Sequence, residues 1–231
     1  MFTGIIQSLG QIRSASATPF GRRLVVEAQG LRQAAGARGI LAGDSVCNSG
    51  VCLTAVGNQT ADGGLTFDVI FETLQKTSLG AWGPGIRVNL ELAVTPMQPL
   101  GGHFTQGHVD GLGKVEGVET GGGVWRIRIA PGAEAMMHMI PRGSVTVDGV
   151  SLTLARVHDD AFEVALIPET LERTTLGALK AGDAVNIECD VIAKTLAHQL
   201  LRMKGGSALA DHKGKSPAVT AELLRDAGFF R

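Results

Sequence analysis

Two short segments of the chain carry the side chains best suited to chemistry, and each is a copy of the other. Asp44-Ser45-Val46-Cys47-Asn48-Ser49-Gly50-Val51-Cys52-Leu53-Thr54 matches Gly143-Ser144-Val145-Thr146-Val147-Asp148-Gly149-Val150-Ser151-Leu152-Thr153. At the matching position Cys52 offers a thiol and Ser151 a hydroxyl. A thiol can act as nucleophile or acid, and Asp148, just before Ser151, offers a carboxyl for proton transfer. The same thiol inside a core would be a small inert hydrophobe. The glycine in each segment permits a tight turn and lets a flat ligand approach the backbone, whose N–H and C=O groups can pair with a heterocycle. Both segments also read as plain hairpin turns.

Gly101-Gly102-His103-Phe104-Thr105-Gln106-Gly107-His108-Val109-Asp110 holds two histidines. Their spacing invites a metal reading, but two imidazoles without a third ligand make a poor site, and no metal is expected. Gly107-His108-Val109 stands at the start of the second copy, where the first has Gly4-Ile5-Ile6. That makes His108 a candidate acid/base or ligand-edge residue, with a solvated surface histidine as the plain alternative. Glu72 beside Thr73, and Glu169 beside Thr170, could hydrogen-bond the vicinal hydroxyls of a polyol chain, or could simply cap strand ends.

The elements that must position these groups are duplicated too. Glu72-Thr73-Leu74-Gln75-Lys76-Thr77-Ser78-Leu79-Gly80 returns as Glu169-Thr170-Leu171-Glu172-Arg173-Thr174-Thr175-Leu176-Gly177, and Val88-Asn89-Leu90-Glu91 returns as Val185-Asn186-Ile187-Glu188. The displacement, about a hundred residues, is too long for a solenoid unit and is the length of a small domain. Alternation in Leu24-Val25-Val26-Glu27 and in Val124-Trp125-Arg126-Ile127-Arg128-Ile129 predicts strands. Short apolar runs between turn residues, with 32 glycines against 8 prolines, favour barrels or sandwiches over α/β units. Each copy also shows one short helical stretch, such as Ala133–Met139, closed by Pro141. After Asp190 the register becomes helical: Ile192, Leu196, Leu200 and Met203 form an apolar stripe, read either as packing on its own domain or, preferably, as an oligomer contact. The expected division is 1–97 and 98–190 for the two domains, 191–204 for the helix and 205–231 for a flexible tail.

Composition excludes other classes. The chain has 231 residues, 44% hydrophobic and 19% charged, with net charge −1 and no basic run, so nucleic acid is not an expected partner. No apolar run reaches the roughly 18 residues of a membrane span. Met1-Phe2-Thr3-Gly4-Ile5-Ile6 lacks a basic start and a long apolar stretch, so no signal peptide is expected. Three cysteines without metal spacing suit a reduced, cytoplasmic protein.

Met1-Phe2-Thr3-Gly4-Ile5-Ile6, Ser49-Gly50-Val51-Cys52-Leu53-Thr54, Gly101-Gly102-His103 with Gly107-His108-Val109-Asp110-Gly111, and Ile167-Pro168-Glu169-Thr170-Leu171-Glu172-Arg173-Thr174-Thr175 together resemble the riboflavin synthase family. The resemblance spans about residues 1 to 203, in order and in both copies. It implies an all-β fold of two tandem six-stranded Greek-key closed barrels with a C-terminal helix that assembles a homotrimer. It implies a transferase of riboflavin biosynthesis that dismutes two molecules of 6,7-dimethyl-8-ribityllumazine into riboflavin and 5-amino-6-ribitylaminouracil. No cofactor is implied; lumazine synthase is a candidate partner.

Carried over by motif, the first-barrel pocket would comprise Gly4, Ile5, Ile6, Val51, Cys52 and Leu53 with Asp68, Val69, Ile70, Phe71, Glu72 and Thr73. The second would comprise Gly107, His108, Val109, Ser151, Leu152 and Thr153 with Ala165, Leu166, Ile167, Pro168, Glu169 and Thr170. Each active site would lie between the first barrel of one subunit and the second barrel of its neighbour, hold two lumazines, and receive Arg142 from across the boundary. The family usually has Lys there, and often Asn where this chain has Ser49. Cys52 with Ser45 would stabilise an anion or add a nucleophile; Asp148, Ser151 and His108 would shuttle protons and orient the partner. A lumazine- or flavin-binding antenna protein without catalysis is the alternative.

Overall fold

The structure, a computed structural model, describes residues 1–57, 64–121 and 123–204; the expected tail lies outside them. In the first copy β1 (Ser8–Thr18), β2 (Gly21–Glu27), β3 (Ser45–Asn48), β4 (Val51–Thr54), β5 (Gly64–Ile70) and β6 (Arg87–Leu92) pair antiparallel in the order β4-β3-β6-β1-β2-β5. In the second, β7 (Gly111–Gly121), β8 (Val124–Pro131), β9 (Ser144–Val147), β10 (Val150–Val157), β11 (Phe162–Leu166) and β12 (Ala184–Cys189) repeat that order as β10-β9-β12-β7-β8-β11, and β11 returns to β10 to close a barrel. The first sheet closes more sparingly: the contact of β4 with β5 is the Ala55–Phe67 bridge, with Val56 N–H donating to Thr66 C=O. Even the bulges repeat, between Ile12 and Ser14 in β1 and between Val115 and Gly117 in β7.

Alternation along these strands fills two separate cores. Leu24, Val26, Leu65, Phe67 and Val69 point into the first barrel; Val115, Ile127, Ile129, Phe162 and Val164 point into the second. The helices are short, and each copy has two rather than one: α1 (Gln29–Ala35) and α2 (Phe71–Lys76), then α3 (Ala133–Met136) and α4 (Pro168–Arg173). The stretch expected helical to Met139 stops at Met136, because the chain tightens there into a turn that buries Met139. The duplicated Glu-Thr-Leu motif builds α2 and α4. Thr77 and Thr174 each donate a hydroxyl to a helix carbonyl, of Thr73 and Thr170, and accept the next N–H, of Leu79 and Leu176. α5 (Val191–Lys204) follows the second barrel.

The two barrels meet through an approximate two-fold axis. The turns β3–β4 and β9–β10 are two-residue hairpins whose central residues both have positive φ: Ser49 at 42° and Gly50 at 88°, Asp148 at 45° and Gly149 at 79°. Two left-handed residues in succession make the type I′ turn that suits strand twist. These turns lie back to back, so close that a Cβ on Gly149 would sit 2.6 Å from Gly50 N. Around them, Asn89 Nδ2 donates to Asp148 C=O at 2.8 Å and Asn186 Nδ2 donates to Ser49 C=O at 2.8 Å. The other side of each amide accepts an N–H from the opposite barrel, Thr175 for Asn89 and Ser78 for Asn186.

Gly149→Ala should destabilise the protein by about 2 kcal/mol or more, from left-handed strain plus displacement of the facing turn. The urea midpoint measures it; an unchanged midpoint would mean that the turns are not packed against one another.

Candidate functional site

The segments that lead into the two copies are exchanged. Phe2 and Thr105 pair as an antiparallel bridge, their N–H groups donating to each other's carbonyls. From this crossing each segment runs onto the other barrel: Ser151 N–H donates to Gly4 C=O at 2.8 Å, and Cys52 N–H donates to Gly107 C=O at 2.9 Å. Ile6 is buried in the second core, and Val109 packs against the first. The sequence expectation that joined Gly4-Ile5-Ile6 to Cys52, and Gly107-His108-Val109 to Ser151, is therefore corrected: the pairing runs the other way. The physical reason is the short Phe2–Thr105 bridge on the axis, which leaves each strand emerging over its neighbour. Gly4 and Gly107 are needed because a Cβ on either would lie 2.6 Å from the Cβ of Ser151 or Cys52. Two buried carboxylates hold the crossing in place: Glu91 accepts from Thr3 N–H, Thr3 O–H and Gly4 N–H, and Glu188 accepts from Gln106 N–H and Gly107 N–H. Burial pushes both carboxyls above the usual range, against the pull of these donors.

Cys52 and Ser151 lie on the outer faces of their barrels. In β4, Val51 and Leu53 are buried while Cys52 is half-buried and Thr54 exposed; in β10, Leu152 is buried while Ser151 is half-buried and Thr153 exposed. On the first barrel the gap beside Cys52 opens toward β5. Phe71 N–H bonds Phe20 C=O beyond β2, so the alternate residues Thr66, Asp68 and Ile70 turn their backbone groups toward β4, where pairing ends at Ala55–Phe67. The second barrel repeats this opening between Ser151–Thr153 and Ala165–Ile167, since β10 meets β11 from Leu154 onward. Apolar side chains rim both faces: Ile70 (52% exposed) and Phe71 on the first, Ile5, Ile167 (63% exposed) and Pro168 on the second. Val69 and Leu166, between these outward residues, point into the cores.

The polar groups differ. On the second face His103 Nδ1 lies 2.7 Å from Ser151 Oγ, and its Nε2 lies 3.3 Å from Thr146 Oγ1. Either neutral tautomer satisfies both contacts, because each hydroxyl can donate or accept; with Nδ1 bare, it accepts from Ser151 while Nε2–H donates to Thr146. Burial lowers the imidazole's proton affinity, keeping it neutral near pH 7. The acid/base candidate expected from sequence, His108, has an exposed side chain, whereas His103, expected only as one of two unsupported metal ligands, makes these contacts. The Gly101-Gly102 pair was the available signal, since a Cβ on Gly102 would strike Thr3 C=O at 2.1 Å and Ser151 Oγ at 2.9 Å.

Asp148 is not brought to Ser151. It sits in the turn at the barrel junction, where its Oδ1 accepts from Asn186 N–H at 2.8 Å, the role Ser49 Oγ plays for Asn89 N–H. It lines a recess of about 710 Å³ between the barrels, with Trp82, Arg87 and Asp183, and neither Cys52 nor Ser151 borders that space. Ser45 stands opposite Thr54 across the β3–β4 ladder, on the face that carries Cys52. Arg142 is exposed at φ 65°, and its N–H donates to Leu154 C=O as Gly43 N–H does to Ala55 C=O. Asp68 makes a two-pronged ion pair with Arg23, which holds its carboxyl below the usual range. Glu72 pairs with Lys76 and Glu169 with Arg173 along α2 and α4, with Thr73 and Thr170 half-buried beside them. Among the described residues no three His, Cys, Asp or Glu side chains gather as a metal site.

Known proteins resemble this arrangement. The Lumazine binding domain family matches residues 3–93 and again 106–190. A riboflavin synthase of Mycobacterium tuberculosis is 41% identical over 209 residues, covering 89% of this chain and 100% of that one. One from Actinobacillus pleuropneumoniae is 33% identical over 229 residues, covering 99% and 100%. Crystal structures of LumP complexed with 6,7-dimethyl-8-(1'-D-ribityl) lumazine and with riboflavin share the fold, with TM-scores of 0.71 and 0.72 over 82% of this chain and 99% of theirs, at 21% and 23% identity.

Burial raises the Asp148 carboxyl from 3.8 to about 7, against the Asn186 hydrogen bond and assisted by Asp183. The native state thus holds this proton more tightly than the unfolded chain, so the linked stability is full below pH 3.8 and lost as pH rises through about 7. Asp148→Asn keeps an acceptor, tolerates positive φ and carries no charge. Its urea midpoint should exceed the parent's at about pH 8, and the difference should fade toward about pH 4. Equal pH slopes in the two proteins would contradict this.

Proposed function

This chain belongs to the riboflavin synthase family, with a lumazine-binding domain in each repeat, and from that premise we propose how its two barrel faces divide the reaction. The reaction is the dismutation of two 6,7-dimethyl-8-ribityllumazine molecules: one gives a four-carbon unit to the other, yielding riboflavin and 5-amino-6-ribitylaminouracil. The two products together hold every atom of the two substrates, so the balance needs no oxidant or reductant.

One lumazine lies on the first face against Cys52, Thr54, Asp68–Thr73 and the Gly107–Val109 segment. The other lies on the second face against Ser151, Thr153, Ala165–Thr170 and the Gly4–Ile6 segment. The observation that carries this reading is the pair of matching openings, beside Cys52 and beside Ser151, each offering outward backbone groups and an exposed apolar rim. Backbone donors and acceptors suit the alternating edge of a lumazine, and the exposed apolar side chains suit its flat ring.

The chemistry requires removal of a proton from the acidic C7 methyl of one lumazine and its later return. The Ser151–His103 contact supplies a relay on the second face: in the tautomer with Nδ1 bare, the neutral imidazole accepts through the hydroxyl. On the first face Cys52 and Ser45 offer a thiol and a hydroxyl to the partner molecule. Alignment of two flat rings can itself supply roughly 7 to 11 kcal/mol of the barrier.

Both faces are open to solvent in one chain, and two rings must stack. The first face of one subunit therefore meets the second face of its neighbour, with the exposed Arg142 reaching across. The stripe on α5, where Ile192 is 54% and Leu196 50% exposed, supports its burial in a homotrimer. A cytoplasmic location goes with three unpaired cysteines. The working division is 1–97 and 98–190 for the barrels, 191–204 for the assembly helix and 205–231 for a tail.

Incubated with 6,7-dimethyl-8-ribityllumazine alone, the protein should form one riboflavin for every two lumazines consumed; binding without turnover would favour an antenna protein. His103→Ala should lower kcat by about a hundredfold, and His108→Ala should cost less. The reverse order would remove the relay from His103.

A further inference from the structure

Cys47 and Cys52 face one another across the β3–β4 hairpin. The two-residue turn makes Asn48–Val51 the hydrogen-bonded closing pair, so the next pair, Cys47–Cys52, is not hydrogen-bonded across the ladder; Cys52 N–H goes instead to Gly107. Such pairs bring their Cα atoms to about 4.5 Å, within the roughly 4.4–6.8 Å that a disulfide spans. Both side chains lie on the outer face, between the buried residues Val46, Val51 and Leu53 that point inward. The second copy confirms that these two positions share one small space, because Thr146 and Ser151 stand there and a single imidazole, His103, touches both. Access is unequal. Cys52 is half-buried, whereas Cys47 is 3% exposed, walled in by Gly149, and burial pushes its thiol up.

We propose that Cys47 and Cys52 are an oxidisable thiol pair, with Cys52 the peroxide-accessible member and Cys47 its resolving partner, joined by a peroxide into an intrachain cross-strand disulfide. Cys52 as thiolate attacks a peroxide oxygen; the O–O bond breaks, hydroxide leaves, and a sulfenic acid forms. The Cys47 sulfur then attacks that sulfenic sulfur; the S–O bond breaks and water departs with the Cys47 proton. The hydroxide takes the proton that Cys52 lost. Two thiols are oxidised to one disulfide, and one hydrogen peroxide is reduced to two waters. Thr146 and Ser151 cannot follow this course, so oxidation acts on one barrel of the two. The consequence for turnover rests on the placement of Cys52 in the lumazine site: the linked protein loses the free thiol there and is inactive until reduced.

The test treats the full chain with a small excess of hydrogen peroxide, then alkylates in denaturant with N-ethylmaleimide and digests with trypsin. The peptide from Gly39 to Lys76 contains Cys47 and Cys52 and excludes Cys189. It should appear unalkylated and two hydrogens lighter, and should carry two alkyl groups when dithiothreitol reduction precedes the alkylation. Riboflavin formation should fall in proportion to the linked fraction and return on reduction. Cys47→Ala should keep its basal turnover, yet under peroxide should accumulate sulfinic acid on Cys52 and lose activity that dithiothreitol does not restore. Cys52 oxidised to sulfinic acid while Cys47 alkylates in the native chain, or a peptide left untouched by peroxide, would overturn the pair. A linked protein with undiminished turnover would uphold the pair and count instead against Cys52 in the lumazine site.

Discussion

The close approach of two hairpin turns, Ser49-Gly50 and Asp148-Gly149, governs the rest of the molecule. Two backbones can come this near only where no Cβ intervenes and where the turn carbonyls displaced from water find partners. Asn89 and Asn186 meet that second condition, each amide bonding to the opposite barrel with both its ends. Placing the turns on an axis also places the chain's leading segments there, and the Phe2–Thr105 bridge sends each across to the other barrel. Neither proposed half-site is therefore built from one repeat. Each takes its wall from one copy and its covering loop from the other.

On this symmetric frame the chemistry is deliberately uneven. The positions of Cys47 and Cys52 are held in the second copy by Thr146 and Ser151, and among the described residues an imidazole bridges the latter pair alone. A dismutation needs that unevenness, because two identical molecules must take different parts. In the proposed reading, matching backbone openings bind the same ring on both faces, and the differing side chains assign the roles. Asp148 illustrates the cost of the frame. The turn that brings the barrels together buries a carboxyl which resists ionisation, where the first copy manages with the neutral Ser49.

Much of this was legible in the sequence because it is local. The copied Gly50 and Gly149 turns and the alternation in β2 and β8 depend on neighbours a few residues away. The stripe from Ile192 to Leu200 also revealed its helix. What was hidden depends on partners far along the chain. The exchange of Gly4 and Gly107 between barrels follows from a bridge between residues 2 and 105, and no local pattern records it. His103 looks like any histidine after two glycines until Ser151 is brought to it. Asp148 stands close to Ser151 in sequence, yet a two-residue turn aims it at the junction instead.

The measurement that bears most directly on the exchanged half-sites is a crystal structure of the protein with 6,7-dimethyl-8-ribityllumazine bound. The ring on the first barrel should touch Cys52 together with Gly107–Val109, and the ring on the second should touch Ser151 and His103 together with Gly4–Ile6. A lumazine held by Cys52 and Gly4–Ile6 together, or one seated in the recess beside Asp148 and Trp82, would contradict the account.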